Sequence, residues 1–346
     1  MTSTSNDRRL VILTQGHSDP ITAKTASSVI RYRPEQVVAV LDASTDAKTS
    51  QDLLGVGGDI PVIDALDDAA DANALMIGIA PPGGKIPSAW RPIVLGAIER
   101  GMNVVSGLHD FLSDDAEFVA AAEKSGVQLV DVRKNDEHDV ANRQGIRDDC
   151  LRVLTIGHDC CVGKMVVAIE LDRGLRKRGH DSKFVATGQT GILIEGDGCP
   201  IDCVVSDFIN GSVEKLVLAN QHHDTLLFEG QGSLAHPRYS AVTLGLLHGC
   251  LPQAMILCYE VGRTEVNNMD SIPLRSLSQL RDAYQTVAEL MMPSTVIGVA
   301  MNSRLVDDKQ AEAERERVRN ELGLPVCDVI RHGADDLIDA IEAMRP

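Results

Sequence analysis

Aromatic side chains are scarce: Phe, Tyr and Trp make up 3% of the 346 residues, with a single Trp. Proteins that hold single-stranded nucleic acid stack bases on such rings, so that role is poorly supplied. Clusters of Lys and Arg are missing as well. The formal net charge is −17, and acids outnumber bases on both sides of residue 150. Phosphate-rich polymers are therefore poor partners. No apolar run approaches a membrane span, and the polar start Met1–Arg9 leads only into the short stretch Leu10–Leu13, too brief for a secretory core. The eight cysteines include no CxxC pair and are too few for a disulfide framework in a chain this long. Six lie in or beside apolar segments, where a reduced thiol packs as a small hydrophobe. These absences predict a reduced, cytoplasmic protein that handles small molecules, with no nucleic acid and no membrane.

Material for a core is ample, since 44% of residues are hydrophobic and 24% charged. Two domains fit this length, each large enough to bury a core of its own. Continuously apolar runs of strand length (Leu10–Thr14, Val37–Asp42, Leu75–Ala80, Val104–Ser106, Gln128–Val132) alternate with helical stretches at Thr22–Tyr32, Pro92–Arg100 and Asp114–Ser125. Unbroken apolar strands between helices indicate parallel sheets covered on both faces. Residues 133–149 turn polar and read as a linker. The rhythm then restarts, with strands predicted at Arg152–Ile156, Lys183–Ala186, Thr225–Phe228, Ala254–Glu260, Val296–Met301 and Val326–Ile330. Helices are expected at Lys164–Arg178, Val213–Asn220, Leu277–Met292, Asp308–Leu322 and Asp335–Met344. The fold class is α/β: a Rossmann-like parallel-sheet domain over 1–150, then a P-loop-like α/β domain over 151–346. As a soluble enzyme the chain is expected to form a homo-oligomer.

The strongest motif follows the first strand of the second domain: Gly157-His158-Asp159-Cys160-Cys161-Val162-Gly163-Lys164-Met165. A glycine-rich turn between a buried strand and a helix presents backbone N–H groups and a helix dipole to an anion, and Lys164 adds a point charge. Gly157, His158, Asp159, Cys160, Gly163 and Lys164 are accordingly the candidate cofactor-binding residues. Two departures from the ordinary P-loop matter. The two glycines stand six apart rather than five, and Met165 and Val166 offer no hydroxyl where a Ser or Thr would hold magnesium. Such a cradle suits gripping a pyrophosphate better than hydrolysing one, and no metal is expected.

The longer spacing resembles dethiobiotin synthetase, whose loop reads G-x-D-x-x-V-G-K-T. Gln189-Thr190-Gly191 and Glu229-Gly230-Gln231-Gly232 fall in the order of that family's Q-T-G and E-G-x-G segments, although its lysine before the Gln is Ala186 here. Over nearly its whole length the chain is similar to a bacterial family of D-glutamate N-acetyltransferases, formerly classed as a domain of unknown function. The strings that carry this resemblance are GHDCCVGKM, ATGQTGILIEGDGCPIDCVVSDFINGSVE, FEGQGSLAHPRYSAVTLGLLHG and PVCDVIRHGADDL. The resemblance implies acetyl transfer from acetyl-CoA, as co-substrate, to the amine of an acidic amino acid. Two alternatives stay open: a magnesium-ATP-dependent ligase of the dethiobiotin-synthetase type, and a nucleotide or CoA binder without catalysis.

Acetyl transfer to an amine needs the free base, a group to take its proton and donors for the oxyanion. Glu229, at a strand end beside the cradle, and His236, in the loop that follows, are the catalytic candidates. Gln189, Thr190, Gly191, Asp197 and Arg263 are candidates for holding the amino acid. Arg263 could equally pair with Glu260 or Glu265, and His236 could be a hydrogen-bonded loop histidine. Asn302 reads as a cap, and Cys160-Cys161 read as small packing residues rather than nucleophiles. In the first domain the G-x-G-x-x-G fingerprint is missing, Asp42 reads as a strand-end cap, and the loop 81–85 reads as a turn.

Overall fold

The computed structural model describes residues 8–81 and 83–345. The chain divides into two compact units, one of Met1–Lys134 with Ile192–Gly196, the other of Asn135–Gly191 with Asp197–Pro346. Among the described residues no helix is long and apolar enough to cross a membrane. Residues 1–7 of the polar start, and Pro82 in the 81–85 loop, lie outside the described residues.

The first unit runs β1 (Leu10–Leu13), α1 (Lys24–Tyr32), β2 (Val37–Leu41), α2 (Ser50–Leu54), β3 (Val62–Ile63), β4 (Ala74–Ile77), α3 (Arg91–Glu99), β5 (Asn103–Ser106), α4 (Ala116–Ser125) and β6 (Leu129–Asp131). Its sheet has the order β3-β2-β1-β4-β5-β6 with every pairing parallel, the doubly wound Rossmann arrangement. Leu13, Leu75, Ile77, Val94 and Ile98 anchor its core, and Trp90 is almost fully buried with it. The two-residue β3 went unrecognised because so short a strand leaves no periodicity to read.

The second unit runs β7 (Leu151–Gly157), α5 (Lys164–Lys177), β8 (Ser182–Val185), the start of α6 (Gln189–Glu195, whose residues from Ile192 on are counted with the first unit), α7 (Ile209–Asn220), β9 (Thr225–Phe228), α8 (Ser240–Cys250), β10 (Ala254–Glu260), α9 (Leu277–Glu289), β11 (Thr295–Asn302), α10 (Asp308–Leu322), β12 (Val326–Cys327) and α11 (Asp335–Glu342). Its sheet is also all parallel, in the order β12-β11-β10-β7-β9-β8. From β7 the chain first forms the edge strand β8, returns to β9 beside β7, and then crosses to β10 on the other side. The crevice at the carboxyl end of β7 is therefore the topological switch point, where open α/β sheets receive ligands. Both sheets bear out the doubly wound reading. β12 is shorter than the expected Val326–Ile330, because Asp328 leaves the ladder to cap a turn, accepting from Ile330 N (2.9 Å) and Arg331 N (3.2 Å).

Helix α8 is the element that composition hides. Its sequence is apolar all round and carries Gly245 and Gly249, poor helix formers. Packing against α7 overrides that propensity: a Cβ at Gly245 would stand 2.3 Å from Ile209 Cγ2, and one at Gly249 2.6 Å from Val213 Cβ. The glycines are what let the two helices approach so closely. The polar segment expected to be a linker is docked along α7. Asn142 N and Arg143 N donate to the buried Glu214 carboxylate (3.0 and 2.9 Å), and Arg147 N donates to Gln221 Oε1 (2.7 Å).

Replacing Glu214 by Ala leaves two backbone donors without their acceptor. Glu214→Ala should cost about 1–3 kcal/mol of stability, read as a lowered urea midpoint, with faster amide exchange at Asn142 and Arg143.

Candidate active site

The loop after β7 is shaped by its two glycines. Gly163 caps α5 with φ +100°, a conformation in which any side chain would be strained. A Cβ at Gly157 would stand 2.8 Å from Lys164 Nζ, so the hydrogen there keeps room for the lysine to fold back. Lys164 uses that room and donates to Asp159 O at 2.7 Å. The ammonium is buried, and burial lowers its pKa. The lysine amine is thus held at the floor of the loop, at the start of a 14-residue helix whose dipole favours an anion there.

The side chains of the loop face two ways. His158 extends the β7–β10 pairing: its backbone N donates to Cys258 O (3.0 Å) and its Nε2 accepts from Glu260 N (3.2 Å). Burial, with Arg263 and Lys164 nearby, pushes its pKa down to about 3, so the ring is a neutral strut between the loop and β10. Asp159 is fully buried. Its Oδ1 accepts from Cys160 N (2.7 Å), while its Oδ2 accepts from Asn267 N (2.7 Å) and Arg263 Nη1 (2.9 Å).

Arg263 is fully occupied inside the protein. Besides Asp159, it donates to Cys160 O (2.8 Å) and, through Nε and Nη2, to Glu260 Oε1 (3.1 and 2.9 Å). The outer oxygen of Glu260 pairs with Arg304 at 2.8 Å. Of the two roles open to Arg263, the internal ion pair is the one formed. Its partners are Glu260 and Asp159, and the second was not legible because residues 159 and 263 meet only through the β7–β10 pairing.

Glu229 lies just beyond β9, the strand next to β7. Its buried Oε2 accepts from Thr187 N and Gly188 N, both at 3.1 Å, at the start of α6. Burial raises the carboxyl to about 7, against the pull of those two donors. The backbone donors at 187 and 188 are therefore filled by the protein's own carboxylate rather than offered to a substrate. A Cβ at Gly191 would stand 2.3 Å from Glu229 Oε2, so Gly191 serves as clearance for that carboxylate. Gln189 and Thr190 are buried in the same turn, whereas Asp197 is exposed in the turn beyond α6.

His236 is 1% exposed. Its Nδ1 accepts from Arg238 N at 3.1 Å, which puts the proton of the neutral ring on Nε2. Burial lowers its pKa; Asp159 and the Asn267 backbone oppose this, and Arg238 and Lys164 add to it. Nε2 makes no hydrogen bond and stands 3.7 Å from Asp159 Oδ1. That tautomer makes Nε2 of the neutral ring a donor. Cys160 Sγ completes the group: sulfur, imidazole nitrogen and Asp159 carboxylate oxygen all lie within 4.8 Å of one another.

Sequence reading passed over Tyr284. Its buried hydroxyl donates to Gly157 O (2.9 Å) and accepts from Leu234 N (3.1 Å), joining the start of the loop to the segment that carries His236. Only its place on the apolar stripe Leu277, Leu280, Tyr284, Ala288 of α9 hinted at burial. Asn302 does not cap a helix as expected: at the end of β11 it accepts from Arg304 N at 3.3 Å in a turn, and Asp307 caps α10 instead. In the first unit Asp42 clasps the loop after β1, accepting from Gly16 N (3.1 Å), Ser18 Oγ (2.5 Å) and Ser44 N (3.1 Å). Burial pushes that carboxyl up, but these bonds outweigh it and hold the pKa below the ordinary value. The 81–85 loop closes as a turn, with Gly84 N donating to Pro81 O (3.0 Å).

Fold and site together define a Rossmann-like domain followed by a P-loop domain whose loop lacks the magnesium hydroxyl. The P-loop domain model of the DUF1611 family (domain of unknown function) matches residues 139–338, and its Rossmann-like N-terminal model matches 43–135. A D-glutamate N-acetyltransferase of Tritonibacter scottomollicae is 38% identical over 331 residues, 94% of this chain and 96% of that one. Another of that name, from a Pseudoalteromonas species, is 37% identical over 268 residues, 77% and 80% of the two chains. The crystal structure of a DUF1611 family protein from Anabaena variabilis matches with a TM-score of 0.92 at 35% identity, covering 97% of this chain and all of that one. The chain belongs to the DUF1611 family and, with these relatives, to the N-acetyltransferases.

Two substitutions test the site's electrostatics. The folded value of Glu229, about 7, exceeds its ordinary 4.5. Its contribution to stability is therefore complete below pH 4.5 and is lost as the pH rises through about 7. Glu229→Gln should abolish that slope in urea midpoints measured across this window. Arg263→Ala leaves Asp159 and Glu260 buried without their shared partner and should cost about 3–5 kcal/mol, seen as a lowered melting temperature.

Proposed function

We propose that the protein transfers the acetyl group of acetyl-CoA to the amine of D-glutamate, giving N-acetyl-D-glutamate and free CoA. The observation that carries the chemistry is Glu229, a buried carboxyl raised to about 7 one strand away from the anion loop. An amine nucleophile must shed a proton as the C–N bond forms, and a base titrating near the working pH takes it best. The choice of D-glutamate rests on what the two bacterial relatives are named for.

The remaining residues take roles consistent with this reaction. Coenzyme A is a polyanion, and the Gly157–Lys164 loop supplies a helix N-terminus and a lysine. Acetyl transfer does not call for the magnesium-binding hydroxyl that Met165 and Val166 fail to provide. His236 Nε2–H, a buried donor without a hydrogen bond, is suited to the oxyanion that develops on the acetyl carbonyl. With Arg263 committed internally, Gln189 and Thr190 remain the candidates for the substrate carboxylates and Asp197 for its ammonium.

The test is mass spectrometry of purified protein with acetyl-CoA and D-glutamate, L-glutamate in parallel, and neither ATP nor added metal. N-acetyl-D-glutamate in excess over the L product is the expected result. Absence of both products, with magnesium-dependent ATP turnover on small carboxylic acids, would replace this reading by the ligase one. The rate should rise through a pKa of about 7, set by Glu229. In Glu229→Gln kcat should fall by about 10²–10⁴-fold and that limb should vanish.

A further inference from the structure

We propose that Cys160 carries the acetyl group as a thioester on Sγ, so that the reaction passes through an acetyl-enzyme rather than direct attack of the amine on acetyl-CoA. This rests on acetyl-CoA being the donor. Five of the other cysteines, at 150, 199, 250, 258 and 327, are buried. Burial drives their thiols upward, those of Cys199, Cys258 and Cys327 to about 12. Cys160 differs in both respects that govern thiol reactivity. It is half-buried in the loop at the switch point of the sheet, and it sits among cations: Arg263 donates to its carbonyl oxygen at 2.8 Å, and Lys164 folds back onto the neighbouring Asp159 carbonyl. Asp159 opposes a thiolate, but its carboxylate is already bonded to Arg263 and to the N–H groups of Asn267 and Cys160.

The second observation is independent of the cysteine. His236 Nε2–H is buried and makes no hydrogen bond, and a ring nitrogen of His236 lies within 4.8 Å of Cys160 Sγ. A buried donor left unmade is costly unless a ligand or reaction intermediate accepts from it. A thiolate on Cys160, or the oxyanion of a carbonyl under attack by it, is an acceptor at this position. The same three side chains would be a plausible ligand set for a divalent metal, but the adjacent Lys164 and Arg263 charges oppose a cation and favour an anion.

The steps balance. The Cys160 thiolate attacks the acetyl carbonyl; a C–S bond to Cys160 forms and the C–S bond to CoA breaks. Cys160 loses its proton to solvent as the thiolate forms, and the departing CoA thiolate takes one up from solvent. The amine of the acceptor then attacks the Cys160 thioester, a C–N bond forms, the C–S bond breaks, and Glu229 takes the ammonium proton. One thioester replaces another in the first half, so little free energy is lost before the amide forms.

The full-length protein is mixed with acetyl-CoA without an amine, quenched in acid and weighed intact. The expected result is one added acetyl group per chain, mapped to Cys160, removed by neutral hydroxylamine and discharged by D-glutamate, with one equivalent of CoA thiol released in a burst. Cys160→Ser should lose turnover by on the order of 10³-fold or more and carry no hydroxylamine-sensitive acetyl group. Turnover by the wild type with no adduct, together with a Cys160→Ala variant that keeps its rate, overturns the acetyl-enzyme and leaves the acetyl-CoA reading intact. No consumption of acetyl-CoA by the wild type overturns both.

Discussion

The anion loop of the second unit depends on one guanidinium. Arg263 reaches from just beyond β10 to the Asp159 carboxylate and the Cys160 carbonyl in the loop after β7, while its remaining donors hold Glu260 at the end of its own strand. Two carboxylates this deeply buried would be expensive alone. Sharing Arg263, with Arg304 on the outer oxygen of Glu260, makes them tolerable and ties the loop to the rigid sheet. The neutral His158 and the hydroxyl of Tyr284 fasten the same loop from β10 and α9. A loop held at so many points presents its dipoles in a fixed arrangement, the condition for electrostatic catalysis without reorganisation.

The two units build the same parallel architecture and use their carboxyl edges differently. In the first, Asp42 accepts from Gly16 N and Asp19 accepts from Ile21 N and Thr22 N, so the protein's own acids occupy backbone donors after β1. In the second unit an own carboxylate again fills a helix start, where Glu229 meets Thr187 N and Gly188 N. There burial outweighs the hydrogen bonds and the acid is carried up to about 7, whereas at Asp42 the hydrogen bonds win and the carboxyl stays low. The contrast separates an acid that only caps from one that can also exchange a proton near neutrality.

The architecture was largely legible along the chain. Runs such as Thr225–Phe228 and Ala254–Glu260 are apolar from end to end because both faces of a parallel sheet are covered, and they appear in the fold with the expected bounds. The loop at 157–164 was legible for the same reason, since its glycines and lysine are local requirements of a turn from strand to helix. Helix α8 was not, because its glycines argue against a helix until α7 is packed on it. Nor was the docking of 135–149, whose polar composition conceals that Glu214 accepts two of its backbone N–H groups.

The division follows the range of the interactions. Hydrophobic periodicity, turn chemistry and the missing hydroxyls at Met165 and Val166 are properties of neighbouring residues, and from them the order of elements, the anion loop and its departure from a magnesium P-loop could be read. Pairing across the sheet is not local. The commitment of Arg263 to Asp159 spans 104 positions, and that of Glu229 to Gly188 spans 41. Burial likewise belongs to the packed chain, so the raised carboxyl of Glu229, the neutral ring of His158 and the buried donor of His236 arose only when the strands came together and removed water from them.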